Sequence, residues 1–160
     1  MKNVVAKLHL HQNGGLVFLI TLLICTLGLG ISVYLTGVHY SSLPLVCSNS
    51  GIVNCSNVVG SGYGVILGSG IPTSAAGIIW FLILIVIALT RFKKPAKKII
   101  EDIQLLWSVI GLFTVIGLIY LEIVKLGAIC IWCSSVHVLV LILFFISLIT
   151  NPRVKPLIKH

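Results

Sequence analysis

Four runs of about twenty predominantly apolar residues make up most of this chain, and they constrain its fold more than any other feature. The runs cover residues 16–35, 71–90, 103–124 and 128–149. A helix of about 20 residues crosses the roughly 30 Å hydrocarbon core of a bilayer. The runs therefore predict an all-α integral membrane protein, a four-transmembrane-helix bundle in which residues 1–160 form a single domain.

The composition agrees with lipid as the solvent. Mean hydropathy is +1.18 and charged residues make up only 9% of the chain, whereas soluble proteins usually have about 25%. The first run follows Lys2 and Lys7 as the apolar part of a signal peptide would, but such a segment has only about 7–15 residues. No small-residue cleavage site is obvious after this run, so we expect a retained spanning helix.

Basic residues lie in the short segments that flank the runs, and their distribution predicts the orientation. Lys125 falls on one side of a four-span arrangement, and the other ten of the eleven lysines and arginines fall on the opposite side. These ten are Lys2, Lys7, Arg91, Lys93, Lys94, Lys97, Lys98, Arg153, Lys155 and Lys159. Because cytoplasmic loops are enriched in Lys and Arg, we expect both termini in the cytoplasm and the 36–70 loop outside. No basic stripe interleaved with aromatic residues accompanies the net charge of +8, which excludes nucleic-acid binding.

The long loop over residues 36–70 is unusual for a solvated segment. It has seven glycines but no Lys, Arg, Asp or Glu, although a loop of this length on the protein surface normally carries charge. We therefore expect the loop to lie against the outer end of the bundle, partly in the membrane interface.

Four of the five cysteines are predicted to lie outside, on the disulfide-permissive side of the membrane. Cys47 and Cys55 are in the loop, and Cys130 and Cys133 form a CxxC pair that opens the fourth helix. Residues three apart share a helix face, and a helix N-terminus lowers the pKa of a thiol placed there. Such a pair suits reversible two-electron chemistry.

Two other interpretations of the four cysteines stay open, namely inert structural disulfides and a tetrathiolate site in a non-enzymatic metal-binding or transport protein. A bridge between adjacent turns of one helix adds little stability, and the loop cysteines lack the spacing of a metal-binding knuckle. Redox chemistry is therefore favoured. Cys25, in the first run, forms a small-residue stripe with Gly28 and Ser32 that is typical of helix packing in lipid.

The complete pattern resembles the vitamin K epoxide reductase (VKOR) family, in its prokaryotic disulfide-forming type. The resemblance lies in a C-x7-C pair in the first outer loop, here Cys47 and Cys55, and in a CxxC opening the last span, here Cys130 and Cys133. Ser61, six residues after the second loop cysteine, also matches. The match covers residues 16–149.

The resemblance implies a thiol oxidoreductase that relays electrons to a quinone such as menaquinone or ubiquinone. A reduced thioredoxin-like, DsbA-type protein would attack a Cys47–Cys55 disulfide at Cys47, Cys55 would then attack Cys130, and the Cys133 thiolate would face the quinone. Eleven residues follow position 149, so the partner is expected to be a separate protein. Vitamin K quinone or epoxide reduction is the alternative within the family.

Several polar residues are candidates for the quinone site. Where animal members have a tyrosine four residues after the CxxC, this chain has His137, and where they have an asparagine after the loop it offers Thr73 or Ser74. Ionisable groups inside a membrane are functional candidates by default. Trp132 is expected to be an interfacial anchor or a wall of the quinone site, and Glu122 is expected to snorkel or pair with Lys125, with proton relay as the alternative.

Overall fold

The computed structural model describes residues 2–40, 43–47, 51–66, 69–93, 98–151 and 153–154, with side chains from Gly14 onward. Five α-helices are present in this part of the chain, and a π-helical turn at Leu121–Leu126 extends the fourth of them. The helices are α1 (Lys2–His39), α2 (Cys55–Gly60), α3 (Thr73–Lys93), α4 (Lys98–Tyr120) and α5 (Ile131–Thr150).

Four segments are long and apolar enough to cross a membrane, and they confirm the predicted fold class. The segments are Gly14–His39, Thr73–Lys93, Lys98–Leu126 and Ile131–Thr150. The predicted boundaries differ from these by a few residues, most clearly in α1, which continues past the end of its apolar run to His39. Thr36 stabilises this extension, because its hydroxyl donates to the carbonyl of Ser32 and contacts the Ser74 hydroxyl on α3.

The bundle core forms where α1, α3, α4 and α5 meet. The fully or nearly fully buried apolar residues there are Cys25, Phe81, Leu84, Val115, Val140 and Leu143. Large apolar side chains also point outward from every long helix, for example Leu23, Val86, Phe113 and Phe145. Because lipid is as apolar as these side chains, the outward faces need no protein partner.

Small residues let α1 approach α3 closely, as the stripe on the first run predicts. Cys25 and Ser32 are buried, and a Cβ atom on Gly28 would clash with the ring of Phe81. Glycine at position 28 therefore makes room for the ring of a core phenylalanine.

The two ends of the bundle differ in chemistry. At one end, which we call the basic end, Arg91 pairs with Glu101 at 3.2 Å and Arg153 pairs with Asp102 at 3.0 Å. The opposite end, the cysteine end, contains Cys47, Cys55, Cys130 and Cys133. Four of the lysines used for the orientation prediction, Lys94, Lys97, Lys155 and Lys159, lie outside the described residues, as do the side chains of Lys2 and Lys7.

Candidate functional site

The loop cysteines form one disulfide, between Cys47 and Cys55, with their Cα atoms 6.2 Å apart. Cys55 is the first residue of α2, and the side chain of Asn54 caps this helix by accepting the backbone N–H of Asn57 at 2.9 Å. Cys55 is completely buried, whereas Cys47 is half-buried. Cys47 is therefore the more accessible sulfur of the loop pair.

A short backbone pairing brings the second loop cysteine to the start of α5. The N–H of Asn54 donates to the carbonyl of Ile129 at 3.1 Å, and the N–H of Ile129 donates to the carbonyl of Ile52 at 3.0 Å. These bonds make a parallel β-bridge between Val53 and Ile129. The residue just before Cys55 is thus hydrogen-bonded to the residue just before Cys130.

The CxxC pair opens α5, as predicted, although Cys130 is not itself helical. Cys130 is the N-cap residue with an extended backbone (φ −102°, ψ 118°), and its sulfur accepts the backbone N–H of Cys133 at 3.4 Å. The expectation that both cysteines share a helix face is therefore wrong for Cys130. A hydrogen bond from the Cys133 side chain, reinforced by backbone N–H groups at the helix start, holds the pKa of Cys130 below its usual range.

All four cysteines contribute to one cluster at the cysteine end. Its buried residues are Cys55, Val58, Ala128 and Cys130, of which the two cysteines have no exposed surface, and Cys47 and Cys133 pack against them. Cys130 and Cys133 are free thiols. A disulfide and a dithiol thus belong to one cluster, and thiol–disulfide exchange needs the two pairs to be accessible to each other.

Aromatic residues fix the segment that leads into Cys47. The indole N–H of Trp132 donates to the carbonyl of Val46 at 2.8 Å. The hydroxyl of Tyr34 accepts the N–H of Val46 at 2.8 Å and donates to the carbonyl of Pro44 at 3.0 Å. The two rings also contact each other, with centroids 5.2 Å apart. Since Trp132 lies between Cys130 and Cys133, it connects the helix pair to the chain beside the loop pair.

A largely apolar cavity of about 500 Å³ opens beside the helix pair. Its walls come from α1, α2, α3, α4 with its π-helical turn, α5 and the segment between α2 and α3. Cys133 is in the wall, and His137, one helical turn further along α5, is 5% exposed and lines the same cavity. Volumes of about 300–1,000 Å³ are typical of small-molecule sites.

The five predicted quinone-site residues are divided between this cavity and the loop. Thr73, Ser74 and His137 line the cavity. The Ser61 hydroxyl instead holds a turn, donating to the carbonyl of Val58 at 2.9 Å and accepting the N–H of Gly64 at 3.1 Å. Trp132 lies beside Cys47, in a small groove lined by Leu45, Val46, Cys47, Ile131 and Trp132.

Three further ionisable residues line the cavity. His39, at the end of α1, contacts the carbonyl of Val59 through Nδ1 at 3.3 Å, and Tyr63 lies in the loop. Glu122 is only 6% exposed, and the ion pairs in the described part of the chain do not include it. The expectation that Glu122 snorkels or pairs with Lys125 is therefore wrong.

The fold and the site together define a multi-pass membrane protein whose thiol–disulfide pairs meet beside an apolar cavity. A model of the vitamin K epoxide reductase family matches residues 19–148, which is most of the chain. The protein belongs to this family, as the cysteine pattern predicted, and is a membrane oxidoreductase. A search of curated proteins gave no significant match.

Proposed function

We propose that this protein is a quinone-dependent protein-dithiol oxidoreductase that supports disulfide bond formation. Electrons pass from a reduced thioredoxin-like, DsbA-type partner to the loop pair, then to the helix pair, and finally to a quinone such as menaquinone or ubiquinone. In each cycle the two thiols of the partner become a disulfide and the quinone becomes a hydroquinone. Two electrons and two protons are therefore transferred.

The observation that carries this proposal is the juxtaposition of Cys55 and Cys130. Both are fully buried in one cluster, and the residues before them are joined by the backbone pairing at Ile129. A sulfur buried from water has few reaction partners, so two sulfurs buried together are suited to exchange with each other.

The exchange steps follow from the burial of each sulfur. A partner thiolate attacks half-buried Cys47 and releases Cys55, which attacks Cys130 when the helix pair is a disulfide, and Cys133 leaves as a thiolate. The second partner thiolate then releases Cys47 and forms the partner's disulfide. Cys47 attacks Cys55 in the Cys55–Cys130 bridge, which restores the loop disulfide and releases Cys130. The structure, with a loop disulfide and free Cys130 and Cys133, corresponds to the state after internal exchange and before oxidation by quinone. The lowered pKa of Cys130 makes it a good leaving group when Cys47 attacks Cys55 in the Cys55–Cys130 bridge, and oxidation of the helix dithiol by quinone then completes the cycle.

The cavity beside Cys133 is the proposed quinone site. It is largely apolar and its wall places His137 near Cys133, with Thr73 and Ser74 at the start of α3. We assign His137 and Ser74 to hydrogen bonding with quinone oxygens. We assign Ser61, Thr73 and Trp132 to holding the loop, because their hydrogen bonds are made to loop backbone, that of the Thr73 hydroxyl to the carbonyl of Gly64 at 3.2 Å.

The distribution of charge supports an extracytoplasmic cysteine end. Arg91, Lys93, Lys98 and Arg153 lie at or beyond the ends of helices at the basic end, whereas Lys125 belongs to the π-helical turn at the cysteine end. By the positive-inside rule the basic end is cytoplasmic. We therefore place both termini in the cytoplasm and the four redox cysteines in the compartment where disulfides persist.

A tetrathiolate metal site has less support than the redox relay. Two of the four sulfurs are joined in a disulfide, and no group of three or more His, Cys, Asp or Glu side chains within the described residues is placed to hold a metal ion. The alternative within the family, reduction of vitamin K quinone or its epoxide, would use the same dithiol. It differs from the proposed reaction in the substrate that the helix pair reduces.

The proposal is tested by following quinone absorbance with the reconstituted protein, a reduced thioredoxin-like protein and a set of quinones that includes vitamin K and its epoxide. We expect wild type to be active and Cys133→Ala to fall to background, because no thiolate would then face the cavity. Cys25→Ala is the matched control, since Cys25 is a fully buried cysteine in the bundle core. Activity that survives in Cys133→Ala would refute the relay.

A further inference from the structure

Glu122 differs in its surroundings from the other acidic residues of the chain. The sequence has three acidic side chains, and two of them, Glu101 and Asp102, pair with arginines at the basic end. Glu122 is the third, and it lies at the cysteine end without either of those arginines. An ionisable carboxyl group inside a membrane protein, away from a counter-ion, costs free energy, and such groups are usually functional.

The position of Glu122 connects the cavity to the helix pair. Its side chain is 6% exposed and lines the cavity that Cys133 and His137 also line. Its carboxyl group lies close enough to the backbone N–H of Cys130 to interact with it. Its own backbone carbonyl accepts the N–H of Ala128 at 3.1 Å, which fixes the connection between the π-helical turn and α5. The carboxyl group is thus held next to one cysteine and in the same cavity wall as the other.

We propose that Glu122 is the proton-transfer residue between the helix dithiol and the quinone, an inference that rests on the function proposed above. When quinone oxidises the pair, the two S–H bonds break, one S–S bond forms, and two electrons reach the quinone. One of the two released protons passes from the Cys133 thiol to the Glu122 carboxylate and then to a quinone oxygen. The second comes from Cys130, directly or through solvent, so the product is a neutral hydroquinone and the carboxylate is regenerated.

The other titratable groups that line this cavity are His39 on α1, Tyr63 in the loop, and Cys133 and His137 on α5. Cys130 at the start of α5 and exposed Lys125 on the turn of Glu122 are close to it in the chain but do not line the cavity. Of these, His137 is the competing proton carrier, because it lines the same cavity on the helix that carries Cys133. The two residues are distinguished by separate substitutions.

The test compares Glu122→Gln with wild type in quinone reduction by the reduced helix pair. Glutamine keeps an acceptor for the N–H of Cys130 but does not carry a proton, so a purely structural role predicts an unchanged rate. Loss of a general acid–base group typically costs about 100- to 10,000-fold, and we expect a decrease of about 100-fold or more. Exchange between the loop and helix pairs, followed by alkylation and mass spectrometry, should be unchanged.

Three comparisons complete the experiment. Glu122→Asp should restore part of the rate with a changed pH profile, and Glu101→Gln, the same substitution at the basic end, should behave as wild type. In a His137→Phe background, Glu122→Gln should still lower the rate of quinone reduction if the carboxyl group carries the proton. A Glu122→Gln rate within about threefold of wild type overturns the proposal. If the wild-type protein reduces none of the quinones, the proposed function is wrong, and the role assigned to Glu122 is wrong as a consequence.

A second measurement applies if Glu122→Gln does not fold, as judged by loss of the Cys47–Cys55 disulfide. Infrared difference spectra of the wild-type protein, recorded between its dithiol and disulfide states with quinone present, report protonation of carboxyl groups. The same spectra are recorded for a variant with Glu101→Gln and Asp102→Asn, in which Glu122 is the only acidic side chain left. A carboxyl band that shifts in heavy water and changes with redox state is expected, and an unchanged carboxyl region overturns the proposal.

Discussion

The backbone pairing beside the cysteines gives a quantitative prediction about the relay. Ile129→Pro removes the N–H that donates to the carbonyl of Ile52 at 3.0 Å, in an extended segment where proline is tolerated. A hydrogen bond contributes about 0.5–1.5 kcal/mol net, and about 1.4 kcal/mol corresponds to a factor of ten. We therefore expect the population in which Cys55 lies against Cys130 to fall about 2- to 12-fold.

Cross-linking measures this population directly. In a background with Cys47→Ala and Cys133→Ala, a mild oxidant can join Cys55 only to Cys130 at the cysteine end, and the rate of joining is read by mass spectrometry after alkylation. Proline should slow the joining by the factor given above. The fifth cysteine, Cys25, lies in the bundle core and does not compete.

Ile129→Ala is the matched control for this experiment. It removes most of the same side chain, which is 37% exposed, but it keeps the backbone N–H. Alanine should therefore cross-link at the rate of the parent. Equal rates for the proline and alanine variants would mean that the pairing does not position the two sulfurs, and the reasoning from the β-bridge would be wrong.

Two more predictions concern packing and thiol chemistry. Gly28→Ala should lower the free energy of unfolding in detergent by about 1–3 kcal/mol, as overpacking does, because its Cβ atom would clash with the ring of Phe81. Gly30→Ala is the control and should change stability little, because nothing lies within 4 Å of the added Cβ atom. Equal unfolding temperatures for the two variants would contradict the close approach of α1 to α3. In the reduced protein, alkylation of Cys130 should reach half its maximal rate at a lower pH than an ordinary thiol, because its pKa is lowered by the Cys133 side chain. Cys133→Ala removes that donor and should move the midpoint to higher pH, whereas a midpoint that stays or falls would contradict this cause.

The spans were predictable from the sequence because apolar runs of membrane length have few other folds available. The cysteine pairs were predictable as a group, since the CxxC spacing and the loop spacing are visible in the chain. The pairing of residues 52–54 with Ile129 was not predictable, because an isolated β-bridge leaves no periodic pattern. The continuation of α1 to His39 was also missed, because it depends on the contact between Thr36 and Ser74 across two helices.

Trp132 shows why a residue type near a membrane boundary does not define its role. Tryptophan at that depth is commonly an interfacial anchor, and its place inside the CxxC pair also suggested the quinone site. In the folded protein the indole also fixes the loop, since the Val46 carbonyl lies where the indole N–H can reach it. Only the folded loop brings these residues together, 86 positions apart in the sequence.

The burial of Glu122 could have been predicted from the spacing of residues along α4, although its charge suggested an exposed position. The buried residues of α4 are Gln104, Ser108, Gly111 and Val115, spaced by four, three and four residues, which is the period of one helix face. Continuing that spacing by three and four reaches position 122, so the helix pattern places the glutamate inside the bundle, although its closeness to Lys125 suggests an exposed pair. The π-helical turn then determines what it meets, because Gly127, with a left-handed backbone (φ +57°), ends the turn and directs the chain back toward the Glu122 carbonyl. A helix face of small and polar residues that ends in a buried acid, beside a dithiol, is better explained by proton transfer than by packing.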